Sequence, residues 1–223
     1  MKLLIYCAGG FGKEVFDTAV RVNRANRRWD AIDFVDDSEE IGNTSYGARV
    51  CSLEDALKGQ NTDQLEFLIA NGEPVIRELL YDKLIARQLR LATLYDTTSI
   101  VSDTAEVQNG VLITSYCSVS SSAVVGRNVA VNAKSIVGHD VIIGEHTVIS
   151  SLVNIGGATR IGRNSYIGMG VSIREGTTIG DDVIVGMGSV VYNDIPDGVI
   201  ALGNPARPMR KNSEKRVFKG TNR

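Results

Sequence analysis

Beyond residue 100 the apolar positions of this chain fall into a strict six-residue beat. Val or Ile occupies 101, 107, 113, 119, 125, 131, 137, 143, 149, 155, 161, 167, 173, 179, 185 and 191, sixteen hits without a slip. In a chain that is 43% hydrophobic, chance does not supply such a run. A second register lies four places after each hit, where small or β-branched residues run from Ala105 to Ile195. Glycine follows the aliphatic residue directly at 126, 138, 144, 156, 162, 168, 180 and 186. A period of six matches neither the two-residue alternation of a strand nor the helical period of about 3.6. It predicts a solenoid of parallel β-coils, each hexad making one short strand and one corner. The aliphatic and the small residue should point inward. Glycine is expected where the backbone turns sharply or approaches a neighbouring coil.

The first ninety-odd residues read differently. Leu3–Cys7, Ala31–Val35 and Leu65–Ala70 are short apolar runs that predict buried strands. A helix is expected from Lys13 to about Ala25, with Val15, Phe16, Ala19 and Val20 on one face. Pro74 suits the first turn of another, running to about Gln88. Residues 38–64 read as loop-rich, with a short helix at Leu53–Lys58, and Leu91–Tyr95 as a last strand leading to the repeat. Strand–helix alternation predicts a parallel sheet. The expected fold is therefore an α/β Rossmann-like half domain over 1–96, then an all-β parallel β-helix of hexapeptide repeats with a tail over 97–223. Ligands on parallel sheets sit beyond the carboxyl ends of the strands. Those ends are Cys7–Gly12, Asp36-Asp37 and Asn71-Gly72.

The turn Ala8-Gly9-Gly10-Phe11-Gly12 departs from the dinucleotide pattern G-x-G-x-x-G, because Cys7 stands where its first glycine belongs. Backbone N–H groups at the start of the following helix can still hold a phosphate. Asp36, 24 residues after Gly12, is placed like a ribose-binding carboxylate. The domain has room for only half of a dinucleotide fold, so a nucleotide-sugar handle is favoured over NAD binding and over a purely structural cap. A net charge of −2 with dispersed signs argues against nucleic acid. The basic tail, Arg207 to Arg223, reads as a solvated terminus. Three cysteines form no disulfide framework and suggest a reducing compartment. No signal-peptide pattern or membrane-length apolar run is present, so a soluble cytoplasmic protein is expected.

Only two histidines exist. His139 follows the inward Val137 by two places, so it lies at a coil corner and faces outward, with Asp140 beside it. An imidazole suits proton abstraction from an amine or hydroxyl, and a neighbouring carboxylate would orient the ring. A solvated His-Asp at a turn is the plain alternative. His146 also falls at a corner and reads as surface or interface. A carbonic-anhydrase-type zinc site would need three histidines, so no metal is expected. Cys117 falls at an inward small position and should be inert. No serine elbow is present, which leaves direct attack on a thioester.

Taken together, Tyr6-Cys7-Ala8-Gly9-Gly10-Phe11-Gly12, Phe34-Val35-Asp36-Asp37, Ile69-Ala70-Asn71-Gly72 with Arg77, Asn132…Gly138-His139-Asp140 and Ile195-Pro196-Asp197-Gly198…Gly203-Asn204-Pro205-Ala206-Arg207 resemble the sialic-acid O-acetyltransferase family, in its nucleotide-amino-sugar N-acetyltransferase branch. The resemblance covers nearly the whole chain. It implies a left-handed β-helix and a cytoplasmic homotrimer that moves acetyl from acetyl-CoA to the 4-amino group of a nucleotide-linked 4-amino-4,6-dideoxysugar. His139 would be the general base and Asp140 its tuner. Gly9, Gly10, Phe11, Asp36, Asp37, Gly72 and Asn132 would meet the substrate. His146, Val148, Met169 and Met187 would lie on the acetyl-CoA side. Two departures stand out: Phe11 and Val148 occupy positions where a relative has histidine. Oxyanion stabilisation would then fall to a backbone N–H or to His146. O-acetylation of a sugar hydroxyl and a non-enzymatic scaffold are the competing readings. No long loop interrupts the repeat, so the missing walls of a site must come from a neighbouring subunit and the N-terminal domain.

Overall fold

A computed structural model describes residues 1–38 and 44–218. Residues 39–43, inside the segment expected to be loop-rich, and 219–223, the end of the basic tail, lie outside the described residues. The N-terminal sheet contains β1 (Lys2–Tyr6), β2 (Ala31–Val35), β3 (Thr44–Ser45), β4 (Ala48–Cys51), β5 (Leu65–Ile69) and β6 (Arg90–Leu91), in the spatial order β3-β4-β2-β1-β5-β6. All pairs are parallel except the β3–β4 hairpin, which the composition of 38–64 did not signal. Helices α1 (Gly10–Asn26), α2 (Leu53–Leu57) and α3 (Pro74–Ile85) complete the domain. The β1 side chains alternate between two cores. Leu3 and Ile5 pack with Val15 and Ala19 of α1, while Leu4 and Tyr6 pack with Leu53 of α2 and Tyr81 and Leu84 of α3.

The stretch read as one strand, Leu91–Tyr95, is divided. Arg90–Leu91 pairs with β5, whereas Leu94–Tyr95 pairs with Leu112–Ile113 and opens the β-helix. From there the chain makes two-residue parallel strands, each paired with the strand eighteen residues on, as in Val119↔Val137 and Val137↔Ile155. They stack into three sheets, of six, six and five such strands, and two strands of the tail bring the first to eight. Every aliphatic residue of the six-residue register joins one core, fully or partly buried, with Cys117 and the apolar members of the small-residue register. Most inward hydroxyls are satisfied by the next coil, Thr177 being the exception among the described residues. Ser135, Thr147 and Ser165 donate to the carbonyls of Ser150, Gly162 and Gly180 at 2.8–2.9 Å.

The corners divide labour in a way the sequence left merged. From Val107 to Val185 the left-handed backbone falls on the third residue after each aliphatic, where Asn128, Asp140, His146 and Asn164 have φ between 54° and 62°. The glycine directly after the aliphatic serves close approach instead. A Cβ on Gly138 would stand 2.8 Å from the Gly157 nitrogen and the Ile155 carbonyl of the next coil.

The N-terminal domain docks on the eight-stranded sheet and on one corner. Leu94 and Leu112 join the α1-side core, and Arg21 of α1 pairs with buried Asp96 at 2.6 Å. The tail is not simply solvated. Strands Val199–Gly203 and Ala206–Lys211 pair antiparallel and extend the eight-stranded sheet. Asn212 and Lys215 then bond Asp182, and Val217 and Phe218 reach Glu73.

Candidate active site

The carboxyl ends of β1 and β5 open into a pocket of about 520 Å³. Cys7, Gly9, Gly10 and Phe11 form one wall, Ala70–Glu73 and Ile76 another, and Arg216 and Phe218 a third. Cys7 sits at φ 82°, so the position where the dinucleotide pattern has glycine does adopt the left-handed backbone, here with a side chain. Burial pushes its thiol up to about 11, which makes it a poor nucleophile. Gly12 lets α1 approach the Cys7 carbonyl, where a Cβ would collide. Gly9 and Gly10 have open space instead of a neighbour, so a side chain there would enter the space of a ligand. The first turn of α1 carries no acidic residue and no side-chain cap. The helix start leaves its first N–H groups unpaired, and Gly10 and Phe11, which carry two of them, belong to the pocket lining, donors suited to a phosphate.

Asp36 and Asp37 do not line this pocket as expected. Asp36 accepts from the Ala8 N–H at 2.9 Å and the Ser38 N–H at 3.0 Å. Asp37 accepts from the Leu53 N–H at 2.9 Å, from Lys83 and from the Tyr6 hydroxyl. Partial burial would raise the Asp37 carboxyl. The Leu53 N–H, Lys83 and Tyr6 outweigh it and hold the group below the usual range. Both aspartates thus brace the loops that shape the pocket, and their oxygens are already engaged. Gly9, Gly10, Phe11 and Gly72 do line it.

His139 stands at the corner between the six- and five-stranded sheets, between Ile136–Val137 and Ile142–Ile143. Its Nδ1 lies 2.8 Å from Asp140 Oδ2. An ionised carboxylate only accepts, so Nδ1 carries the proton and Nε2 keeps its lone pair. The side chains of His139 and Asp140 are 67% and 61% exposed, open to a substrate. Asp140 reaches back because it occupies the left-handed corner position, φ 58°. Beneath the ring lies Gly157, a residue the sequence reading missed. A Cβ there would stand 2.5 Å from His139 Nε2 and 2.6 Å from Cε1. Gly157 is not in the left-handed region, so what calls for glycine is space for the imidazole. The doubled Gly156-Gly157, which adds a glycine one place beyond the regular position, was the available signal.

His146, expected at the surface or an interface and on the acetyl-CoA side, lies in the interface between the two domains. It is 4% exposed, at the corner between the five- and eight-stranded sheets, beneath α3. Tyr81 packs edge-on to its ring at 5.1 Å. Asn128 Nδ2 donates to its Nδ1 at 3.0 Å, and burial pushes the imidazole down, so it is held neutral. Asn128 is gripped in turn by Arg77. The Arg77 guanidinium donates to Asn128 O and Oδ1, Ile69 O and Asn71 O at 2.7–3.1 Å. Glu78 accepts from Asn164 Nδ2 at 2.9 Å. Arg77, Glu78 and Tyr81 thus bind α3 along one corner of the prism, and His146 belongs to that seam.

Val148 is a second correction. It is 1% exposed, in register between Ala130 and Tyr166, so its side chain has no open face for a cofactor. Met169 and Met187 are exposed and lie in adjacent coils, joined through the Gly188 N–H and Met169 carbonyl at 2.8 Å. Asn132 Oδ1 is buried without a hydrogen-bond partner among the described residues. No helix among the described residues is long and apolar enough to cross a membrane.

An α/β domain with a nucleotide-sized pocket, carried on a hexapeptide β-helix with an exposed His-Asp pair, defines a hexapeptide acyltransferase. Residues 2–84 match the PglD N-terminal domain family and residues 158–193 the bacterial transferase hexapeptide (six repeats) family. Among solved structures, the chain is similar to the acetyltransferase domain of PglB from Neisseria gonorrhoeae FA1090 in complex with acetyl coenzyme A. Identity is 31% and the TM-score 0.86, over 93% of this chain and 98% of that one. WeeI from Acinetobacter baumannii AYE matches at 29% identity and TM-score 0.87, over 94% and 100%. PerB from Caulobacter crescentus, in complex with CoA and GDP-perosamine, matches at 25% identity and TM-score 0.84, over 94% and 98%. A comparison with curated protein sequences gives no match. The chain belongs to the PglD-like hexapeptide-repeat acetyltransferases, a family of acetyl-CoA-dependent sugar N-acetyltransferases. That membership sets aside the non-enzymatic scaffold.

Proposed function

We propose that this enzyme transfers the acetyl group of acetyl-CoA to the 4-amino group of a nucleotide-linked 4-amino-4,6-dideoxysugar, with His139 as general base. The carrying observation is the His139–Asp140 pair: Nδ1 is engaged at 2.8 Å, while Nε2 has no hydrogen-bond partner among the described residues, on a side chain that is largely exposed. The uncharged amine attacks the thioester carbonyl, and His139 Nε2 takes the proton that the amine sheds. The tetrahedral intermediate then breaks its C–S bond, and the CoA thiolate leaves with the proton held on His139 Nε2, which returns the imidazole to its neutral form. Asp140 holds the ring tautomer and its orientation. No acyl-enzyme forms, because Cys7 and Cys117 are both raised by burial.

The substrate pocket lies on the N-terminal domain, which is docked on the eight-stranded sheet. His139 stands on the opposite corner, between the other two sheets. A homotrimer would let one subunit's His139 serve the pocket of its neighbour, with the exposed Met169 and Met187 along the groove toward acetyl-CoA. Asn132 Oδ1, buried and unpartnered, is suited to accept from the substrate amine. The similarity to PerB, whose complex holds CoA and GDP-perosamine, supports a nucleotide amino-sugar as acceptor.

The test is release of free thiol from acetyl-CoA with UDP-, dTDP- and GDP-linked 4-amino-4,6-dideoxysugars, beside matching sugars that carry hydroxyl in place of amine. Turnover confined to an amino-sugar is expected; turnover confined to the hydroxyl sugars would make the enzyme an O-acetyltransferase. His139→Ala should lose most of kcat with little change in CoA affinity. Near wild-type turnover in that variant would overturn the general-base assignment.

A further inference from the structure

The chain after the last hairpin bridges both domains. Asn212 Nδ2 donates to the Asp182 carbonyl at 2.9 Å, and Lys215 Nζ pairs with the Asp182 carboxylate at 2.8 Å, at a corner of the prism. Three residues later the chain is on the N-terminal domain. Glu73, at the N-terminus of α3, accepts the Val217 N–H at 2.9 Å on one oxygen and the Phe218 N–H at 2.7 Å on the other. Phe218 stands edge-on to Tyr166 at 5.8 Å and lies over Gly72, where a Cβ would come within 3.4 Å of its ring. The tail is thus seated at three points, and Arg216 falls between the second and the third.

That seating puts Arg216 in the wall of the pocket shaped by Gly9 and Gly10. Among the described residues it is the only cationic side chain lining it, and it forms no ion pair with any of them. Glu73 is the only acidic one among the described residues, and both of its oxygens accept from the tail's backbone. Glu73 keeps its negative charge, but its oxygens are held by the tail's backbone; the charged group left without a partner is the planar Arg216 guanidinium, suited to two phosphoryl oxygens at once.

We propose that the C-terminal tail is a working wall of the substrate pocket, in which Arg216 binds the diphosphate of the nucleotide amino-sugar and Phe218 holds it in place. This deepens the function proposed above and rests on it for the identity of the substrate. Arg216 acts on substrate affinity and has no part in the proton transfer at His139.

The test compares wild type, Arg216→Gln, Arg216→Lys and Phe218→Ala as full-length enzymes. In Arg216→Gln, KM for the nucleotide amino-sugar should rise about ten- to hundredfold, the scale of one charge-assisted hydrogen bond. KM for acetyl-CoA and kcat should hold within about twofold, and Arg216→Lys should recover part of the loss. Calorimetric titration with UDP, dTDP and GDP should show the same loss of affinity in Arg216→Gln. The corresponding nucleosides should bind wild type and variant equally. Phe218→Ala should raise the same KM by a smaller factor, because it frees the segment that carries Arg216. An unchanged sugar KM in Arg216→Gln overturns the proposal, as does an equal loss for nucleosides and nucleoside diphosphates. A wild type that turns over no amino-sugar, yet loses nucleoside diphosphate affinity in Arg216→Gln, would refute the assigned reaction and leave the tail's role standing.

Discussion

Replacing Gly157 with alanine tests the role proposed for His139 without replacing that residue. The added Cβ would lie 2.5 Å from His139 Nε2, 2.6 Å from Cε1 and 3.0 Å from Cδ2. Non-bonded carbon contacts settle near 3.5–4.0 Å, so the imidazole must withdraw by about 1 Å. The backbone accepts alanine, because Gly157 is outside the left-handed region. The ring yields easily, because it is largely exposed. Folding should therefore be nearly untouched, with a melting temperature within about 2 °C of wild type. Catalysis should suffer, since a misplacement of about 1 Å costs on the order of a hundredfold. That corresponds to about 2.7 kcal/mol of lost transition-state stabilisation. The assay is steady-state thiol release beside differential scanning calorimetry. On His139→Ala, Gly157→Ala should add little, because the ring it displaces is gone. Wild-type kcat in a folded Gly157→Ala protein would refute the claim that this glycine exists to seat the base.

Two further outcomes concern the seam between the domains. Arg77 is fully buried, and burial pushes its guanidinium down to about 9. Arg77→Met would strip Asn128 O, Ile69 O and Asn71 O of their donor, a loss of roughly 3 kcal/mol or more. A melting temperature lower by about 6–12 °C is expected in calorimetry; a shift under about 2 °C would show the seam to be held elsewhere. His146 should make the fold acid-sensitive. Its folded pKa is depressed, so below the ordinary 6.5 the unfolded chain binds the proton that the folded chain refuses. Stability is full above that value and falls as pH drops from it toward the folded pKa. Urea unfolding between pH 8 and 5 should show this slope, reduced in His146→Gln; identical slopes in the two proteins would remove His146 as its source.

Much of the architecture was legible because a solenoid core is written locally. Each inward residue is buried by the coils on either side of it, so Val137 or Cys117 could be placed by counting. The α/β domain was legible for the same reason. Strand and helix patterns around Leu3–Cys7 and Pro74 mapped onto β1 and α3 within a few residues. The division at Leu91–Tyr95 was not legible, since its two halves find partners in different domains. Nor was the seating of Arg216, which depends on Glu73 meeting the chain 144 residues later.

The two histidines show where sequence ends and tertiary structure begins. The register places both outside the coil, His139 two places after Val137 and His146 three after Ile143. It carries no information on which of three corners the N-terminal domain covers. Docking of α3 buries His146 against Tyr81 and Asn128 as a neutral strut, and leaves His139 exposed over Gly157, open to the role of base proposed for it. The sequence alone determined the coil, its core and the outward His-Asp pair. Only the packing of one domain on the other decided which imidazole meets solvent, because burial and its effect on charge arise from contacts far apart along the chain.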